Sequence, residues 1–253
     1  LIVLVYALLC RRIPLRPRLL LRPGRDTARS FTKYATPVLF NETMWGLGTT
    51  VMTSILGHMT DSADMLAAYT IMGNIDKFTT VSCFGLAGAT AVILGKAIGE
   101  GTDKDRVYDL SWCLLIVSFL LGLGLAAALA LALPLVFIPY LYPLFSLSPL
   151  ATEAAATLCV VYLILLPLKS FDISNITGVL RSGGDVRMAT IIDLTPLWCV
   201  AVPMAALTAL VLEAPLPLVC LGIYSENICK MPLGVMRLRS RKWINDVTRR
   251  SAS

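Results

Sequence analysis

Six long apolar stretches separated by short polar segments set the pattern of this 253-residue chain, at approximately 34–59, 65–96, 107–137, 154–180, 188–212 and 216–238. Each reaches the length of about 20 helical residues that crosses about 30 Å of hydrocarbon. The second and third are longer than that minimum, so tilt, a kink or extension beyond the bilayer is expected rather than further spans. Pro167, Pro196, Pro203 and Pro232 fall inside stretches, where neighbouring helices or water must satisfy the carbonyls they free. The pattern predicts an all-α membrane protein, a six-transmembrane-helix bundle over residues 34–240 followed by a cytoplasmic tail, 241–253. Ahead of it, residues 1–10 form an apolar run too short to span, which reads as the end of a truncated transmembrane helix. Residues 11–33 are basic and broken by Pro14, Pro17 and Pro23, and read as a cytoplasmic linker.

Composition agrees with the pattern. Hydrophobic residues make up 57% of the chain and charged residues 15%, and the mean hydropathy is +0.75. That is beyond what a soluble domain needs for its core. The charges then orient the helices. Lys and Arg gather in the linker, in the loop from Lys96 to Arg106, in the turn from Arg181 to Arg187 and from Arg237 at the end of the last stretch into the tail, with only Lys77, Lys169 and Lys230 deep inside spans. The alternate loops carry none, so both ends are expected on the cytoplasmic side of a plasma membrane, where the basic segments rest on anionic lipid. Arg11 and Arg12 follow the first apolar run instead of preceding it, unlike a signal peptide. The flanking spans make a nucleic-acid partner remote.

Enzyme chemistry finds little material here. The seven cysteines stand singly in apolar segments, His58 is the one histidine, and no phosphate-binding Gly-rich loop occurs. No nucleophile–base or metal-ligand spacing appears, so the chain does not read as an enzyme, and no resident cofactor is implied.

The polar residues inside the spans carry the chemistry. Asp172 and Asn175 sit within the apolar fourth segment, beside Lys169, and a carboxylate at that depth marks an ion or substrate path. Lys169, three residues before Asp172, is a candidate local partner, which leaves a structural pair open. Glu42, Gly46, Thr49 and Thr53 share one face of the first segment, with Asn41 and Trp45 beside them, as a cation or proton site would require. Asp76 and Lys77 are adjacent in the second segment, about 100° apart around the helix, and each needs a partner elsewhere. A proton relay and an interhelical bridge both fit them. Glu226 and Lys230 stand at i, i+4 in the favoured order and read as a structural pair. Asp193, near the cytoplasmic end of its segment, is given no role.

Several motifs point the same way: Pro37-Val-Leu-Phe-Asn-Glu42 with Trp45-Gly-Leu-Gly48, Gly95-Lys-Ala-Ile-Gly-Glu-Gly101, Leu180-Arg-Ser-Gly-Gly-Asp185 and Arg241-Lys-Trp-Ile244. In this order they resemble the second half of the multidrug and toxic compound extrusion (MATE) family, with Ser182 departing from the Gly usual in the fourth-segment turn. The resemblance implies the C-terminal lobe of that fold, preceded by the tail of an earlier helix and completed by a missing N-terminal six-helix lobe. It implies antiport, with cationic or amphipathic organic compounds leaving as Na+ or H+ enters. Glu42 and Asp172 match the family's C-terminal cation site, and would bind Na+ if coupling uses sodium. Asn41, Thr49, Asp76, Lys77 and Asn175 would then be polar cavity residues, and Trp45, Met72 and Phe78 substrate contacts. The rival readings are a lipid-linked oligosaccharide flippase of the same superfamily and an inactive half-transporter.

Overall fold

The computed structural model describes residues 24–59 and 62–245. The expected truncated helix at 1–10, the start of the linker and the end of the tail lie outside them. Six helices and no strand make up the described chain: α1 (Arg25–Gly57), α2 (Ser62–Gly99), α3 (Lys104–Leu144), α4 (Pro149–Leu180), α5 (Val186–Val211) and α6 (Leu216–Arg239). Of these, α2 to α5 are long and apolar enough to cross a membrane by length and composition alone. The first helix starts at Arg25, earlier than the apolar pattern does, because the polar run Arg25 to Lys33 holds no proline and continues the helical backbone.

The chain divides into two units, Leu1–Phe40 and Asn41–Ser253. The described part of the first is the start of α1, with Phe31, Leu39 and Phe40 exposed. The second contains the packed bundle.

Polar residues set the helix ends. Asp103 caps α3 by accepting from Asp105 N at 3.3 Å, and Ser148 caps α4 by accepting from Ala151 N at 3.0 Å, with Pro149 in the first turn. Both caps satisfy amide groups that a helix start leaves open, and the proline has no amide to satisfy. Ser148 also donates to Asp64 Oδ1 at 2.6 Å, tying the start of α4 to the start of α2. Gly184 takes φ 80°, a left-handed conformation that lets the chain reverse between α4 and α5.

Inside the bundle α4 is central: 56% of its most apolar window is buried, against 28–33% for α2, α3 and α5. Its first half packs on Met72 and Ile75 of α2, Leu129 of α3 and Cys220 of α6. Its second half packs on Leu94 of α2, Leu115 of α3, Ile192 of α5 and Leu238 of α6. A third cluster joins Met52 and Leu56 of α1 to Ala201 and Ala205 of α5 and Val219 of α6. Lipid is as apolar as leucine, so close approach rather than water exclusion holds such helices together, and small residues allow it. A Cβ on Gly122 would lie 2.7 Å from Pro167 Cα, and one on Gly178 3.0 Å from Ala87 O. Hydroxyls reinforce the α3–α4 seam, Ser118 donating to Ser174 Oγ at 2.7 Å and Ser170 to Ser118 O at 2.6 Å.

Beyond α6 the chain turns back. Trp243 is fully buried, donates from Nε1 to Leu238 O at 3.1 Å, and covers Gly183, which has no room for a side chain. Asn245 N donates to Gly183 O at 3.1 Å, and Arg237 Nε to Asp185 Oδ2 at 2.5 Å. Arg241 pairs with Asp105 and stacks on Tyr108, 4.4 Å from the ring centre, within the range of a cation–π contact.

Candidate functional site

Asp172 and Asn175 occupy successive turns of α4. That helix faces neighbours on most sides, so both are buried, at 3% and 0% exposure. Asp172 Oδ2 and both amide atoms of Asn175 have no hydrogen-bond partner. Asn175 lies against α6 at Gly234, where a Cβ could not fit. One turn before Gly234 stands Lys230, 5% exposed. Its ammonium reaches Asp193 Oδ1 of α5 at 2.8 Å and Glu226 Oε2 of α6 at 3.0 Å. Asp193 Oδ2 in turn accepts from Asn41 Nδ2 of α1 at 2.8 Å. The Asp172 carboxylate interacts electrostatically with Lys230, Glu226 and Asp193. Four helices therefore converge on one polar cluster in the interior of an apolar bundle.

A second cluster lies between α2 and α4. Asp76 pairs with Lys169 and accepts from Tyr162 Oη at 2.6 Å and from Thr80 Oγ1 at 3.1 Å. Thr79 Oγ1 shares a hydrogen bond of 2.5 Å with Tyr162, and the Tyr162 ring packs on Tyr224 at 5.7 Å between centres. Of the two readings of Asp76, the interhelical bridge is the one seen. Lys169 is thereby committed to α2 and is not the local partner of Asp172 that the sequence left open.

Glu42 sits elsewhere, with a side chain 61% exposed, and forms an ion pair of 3.3 Å with Arg181 at the end of α4. The structure thus gives Glu42 and Asp172 different partners. Thr49 and Thr53 donate to Gly46 O and Thr49 O of their own helix, at 2.8 and 2.9 Å. Trp45, Lys77 and Phe78 are exposed, so α1 and α2 present aromatic and charged side chains on their open faces. Met72, expected among the substrate contacts, is a core residue instead, because its turn of α2 faces α4. Asn41 is buried on Asp193 rather than open to a cavity.

Asp193 and Lys230 are the members of the site that sequence reasoning missed or understated. The available signal was Asp193 itself, an acid in the apolar stretch 188–212 that holds no Lys or Arg.

Four acceptors of the cluster, Asp172 Oδ2, Asn175 Oδ1, Asn41 Oδ1 and Glu226 Oε2, have no hydrogen-bond donor, and of these Glu226 Oε2 is held by the Lys230 ammonium as an ion pair. A proton, a water or a monovalent cation suits the other three. Among the described residues no three His, Cys, Asp or Glu side chains converge as a metal-ion site requires.

A family model described as MatE matches residues 37–207. The "Uncharacterized transporter YisQ" of Bacillus subtilis (strain 168) is 24% identical over 220 residues, covering 87% of this chain and 46% of that protein. Among solved structures, a MOP superfamily transporter from Pyrococcus furiosus superposes with a TM-score of 0.77 at 18% identity, over 95% of this chain and 54% of that one. The structure of the MATE transporter ClbM in complex with Rb+ does so with a TM-score of 0.75 at 21% identity, over 88% and 51%. The chain spans about half the length of each of these relatives.

Proposed function

The chain belongs to the MatE family of membrane transporters, and from that premise we propose that it forms one lobe of a secondary antiporter, exporting cationic or amphipathic organic compounds as Na+ or H+ enters. The observation that carries this reading is Asp172, a carboxylate buried in the central helix with one oxygen unpartnered. An idle acid at such depth is costly, whereas one that takes up and releases a cation has a use for that cost. Coupling requires the cation to favour one conformation and the substrate another. A two-walled cleft requires a second lobe, on the same polypeptide or another, against which this one moves. The exposed Trp45, Lys77 and Phe78 belong on the wall facing that cleft.

A lipid-linked oligosaccharide flippase would need cationic donors for a buried diphosphate. Arg181, Lys169 and Lys230 are already bound to carboxylates, and Lys77 by itself on that wall is too little charge for a diphosphate, which favours organic-cation export. The test is proteoliposomes containing the complete two-lobe transporter under an imposed Na+ or H+ gradient. Asp172→Asn is expected to abolish gradient-driven efflux of an organic cation while the protein still inserts. Unchanged coupling in that variant would refute the assignment.

A further inference from the structure

We propose that Lys230 is a tethered ammonium that keeps Na+ out of the cluster formed by Asp172, Asp193 and Glu226, and so decides which cation this lobe accepts. The idea rests on the antiport reading only for its use in transport; the exclusion itself is a property of this chain.

The oxygens of the cluster are mostly taken. A dehydrated hard cation has to gather several oxygen ligands around itself. Lys230 takes Asp193 Oδ1 and Glu226 Oε2, and Asn41 takes Asp193 Oδ2. The buried oxygens without a hydrogen-bond donor are Asp172 Oδ2, the carbonyl oxygens of Asn175 and Asn41, and Glu226 Oε2, which the ammonium holds as an ion pair at 3.0 Å, so Asp172 Oδ2 is the one charged ligand among them that Lys230 does not occupy. That set is poor for Na+, although a single carboxylate oxygen is enough for a proton. Every element packed on the cluster contributes: α1 brings Asn41, α4 Asp172 and Asn175, α5 Asp193, and α6 Glu226 and Lys230, with the Arg181 guanidinium adding positive charge near Asp193. The ammonium supplies the unit positive charge that Na+ would bring, in the same place and without leaving.

A lysine present only for stability would behave differently from one that excludes sodium. Removing the ammonium frees two carboxylate oxygens within electrostatic reach of Asp172 and opens the volume of the lysine head. Lys230→Ala is therefore expected to create a sodium site, and Lys230→Arg, which keeps the charge, to leave the cluster closed.

The experiment is isothermal titration of NaCl, against choline chloride as control, into the purified chain in detergent, with thermal unfolding followed in both salts. Lys230→Ala is expected to bind Na+ at least about tenfold more tightly than the native protein, and to unfold at a higher temperature in NaCl than in choline chloride. The native protein and Lys230→Arg are expected to show neither effect. Should Lys230→Ala fail to fold because it leaves acids uncompensated, Lys230→Ala/Asp193→Asn removes one charge of each sign and is expected to gain sodium binding through Glu226 and Asp172. Native protein binding Na+ as tightly as the folded variant, or variants that are destabilised equally in both salts, would overturn the proposal. Efflux by the complete transporter is scored separately: a failure of Asp172→Asn to affect it removes the antiport reading and leaves sodium exclusion standing or falling on the titration.

Discussion

Asp76 and Lys169 show what a charge pair inside a bundle contributes. Their side chains are 26% and 15% exposed, and Tyr162 and Thr80 supply further donors to the same carboxylate. Lys169→Met is expected to lower stability by roughly 3 kcal/mol in thermal unfolding, since it leaves a carboxylate without its cation, and Asp76→Asn in the same chain should recover part of that loss. Glycines give a second contrast. Gly122→Ala drives a Cβ into Pro167 Cα, and is expected to cost about 1–3 kcal/mol. Gly48→Ala meets only the side chain of Leu197, which can turn aside, so its cost should be clearly smaller. At this scale the sequence was half legible. The depth of Asp172 and Asn175 marked them as buried polar residues, and the i, i+4 spacing of Glu226 and Lys230 is realised. Asp193 could not be read the same way. One of its partners is Asn41, 152 residues away, and periodicity within one helix says nothing about which helix lies opposite. The same limit hid the pairing of Glu42 with Arg181.

Helices were easier to read than contacts, because apolar length alone announces them, yet their internal geometry was not. Wider, π-helical turns interrupt α3 at Leu133–Leu141, α4 at Ser174–Leu180 and α5 at Leu197–Ala201 and Leu207–Val211. Two of these four segments begin beside a proline, Pro134 and Pro196, which lacks the N–H that a regular turn would use. The helix absorbs the gap by widening. Such a turn is equivalent to one inserted residue. In α5 it sets the angle between Asp193, which faces Lys230, and Ala205, which faces Gly222. Deleting the exposed Cys199 within the wide turn is therefore expected to restore regular helix and lower the melting temperature by only a few degrees. Deleting Ile192 from the regular part should rotate Asp193 by about 100° away from α6 and prevent folding. Thermal unfolding of the two deletion variants separates these outcomes.

For the molecule as a whole, the division of basic residues predicts which ends face the cytoplasm. In a background with the native cysteines replaced, a membrane-impermeant thiol reagent added outside is expected to label Ser62→Cys and Phe145→Cys but not Thr102→Cys. Labelling of Thr102→Cys from outside would reverse the orientation. Trp243 bears on the same face as Thr102. It seals Gly183 from above while Asn245 holds the glycine's carbonyl, and Arg241 reaches to Asp105. The end of α6, the α4–α5 turn and the start of α3 are thus stapled into a single stiff plate. A force applied anywhere on that plate is delivered to four helices together, so this end of the lobe works as a lever arm, and any bending has to come from the wide turns outside it.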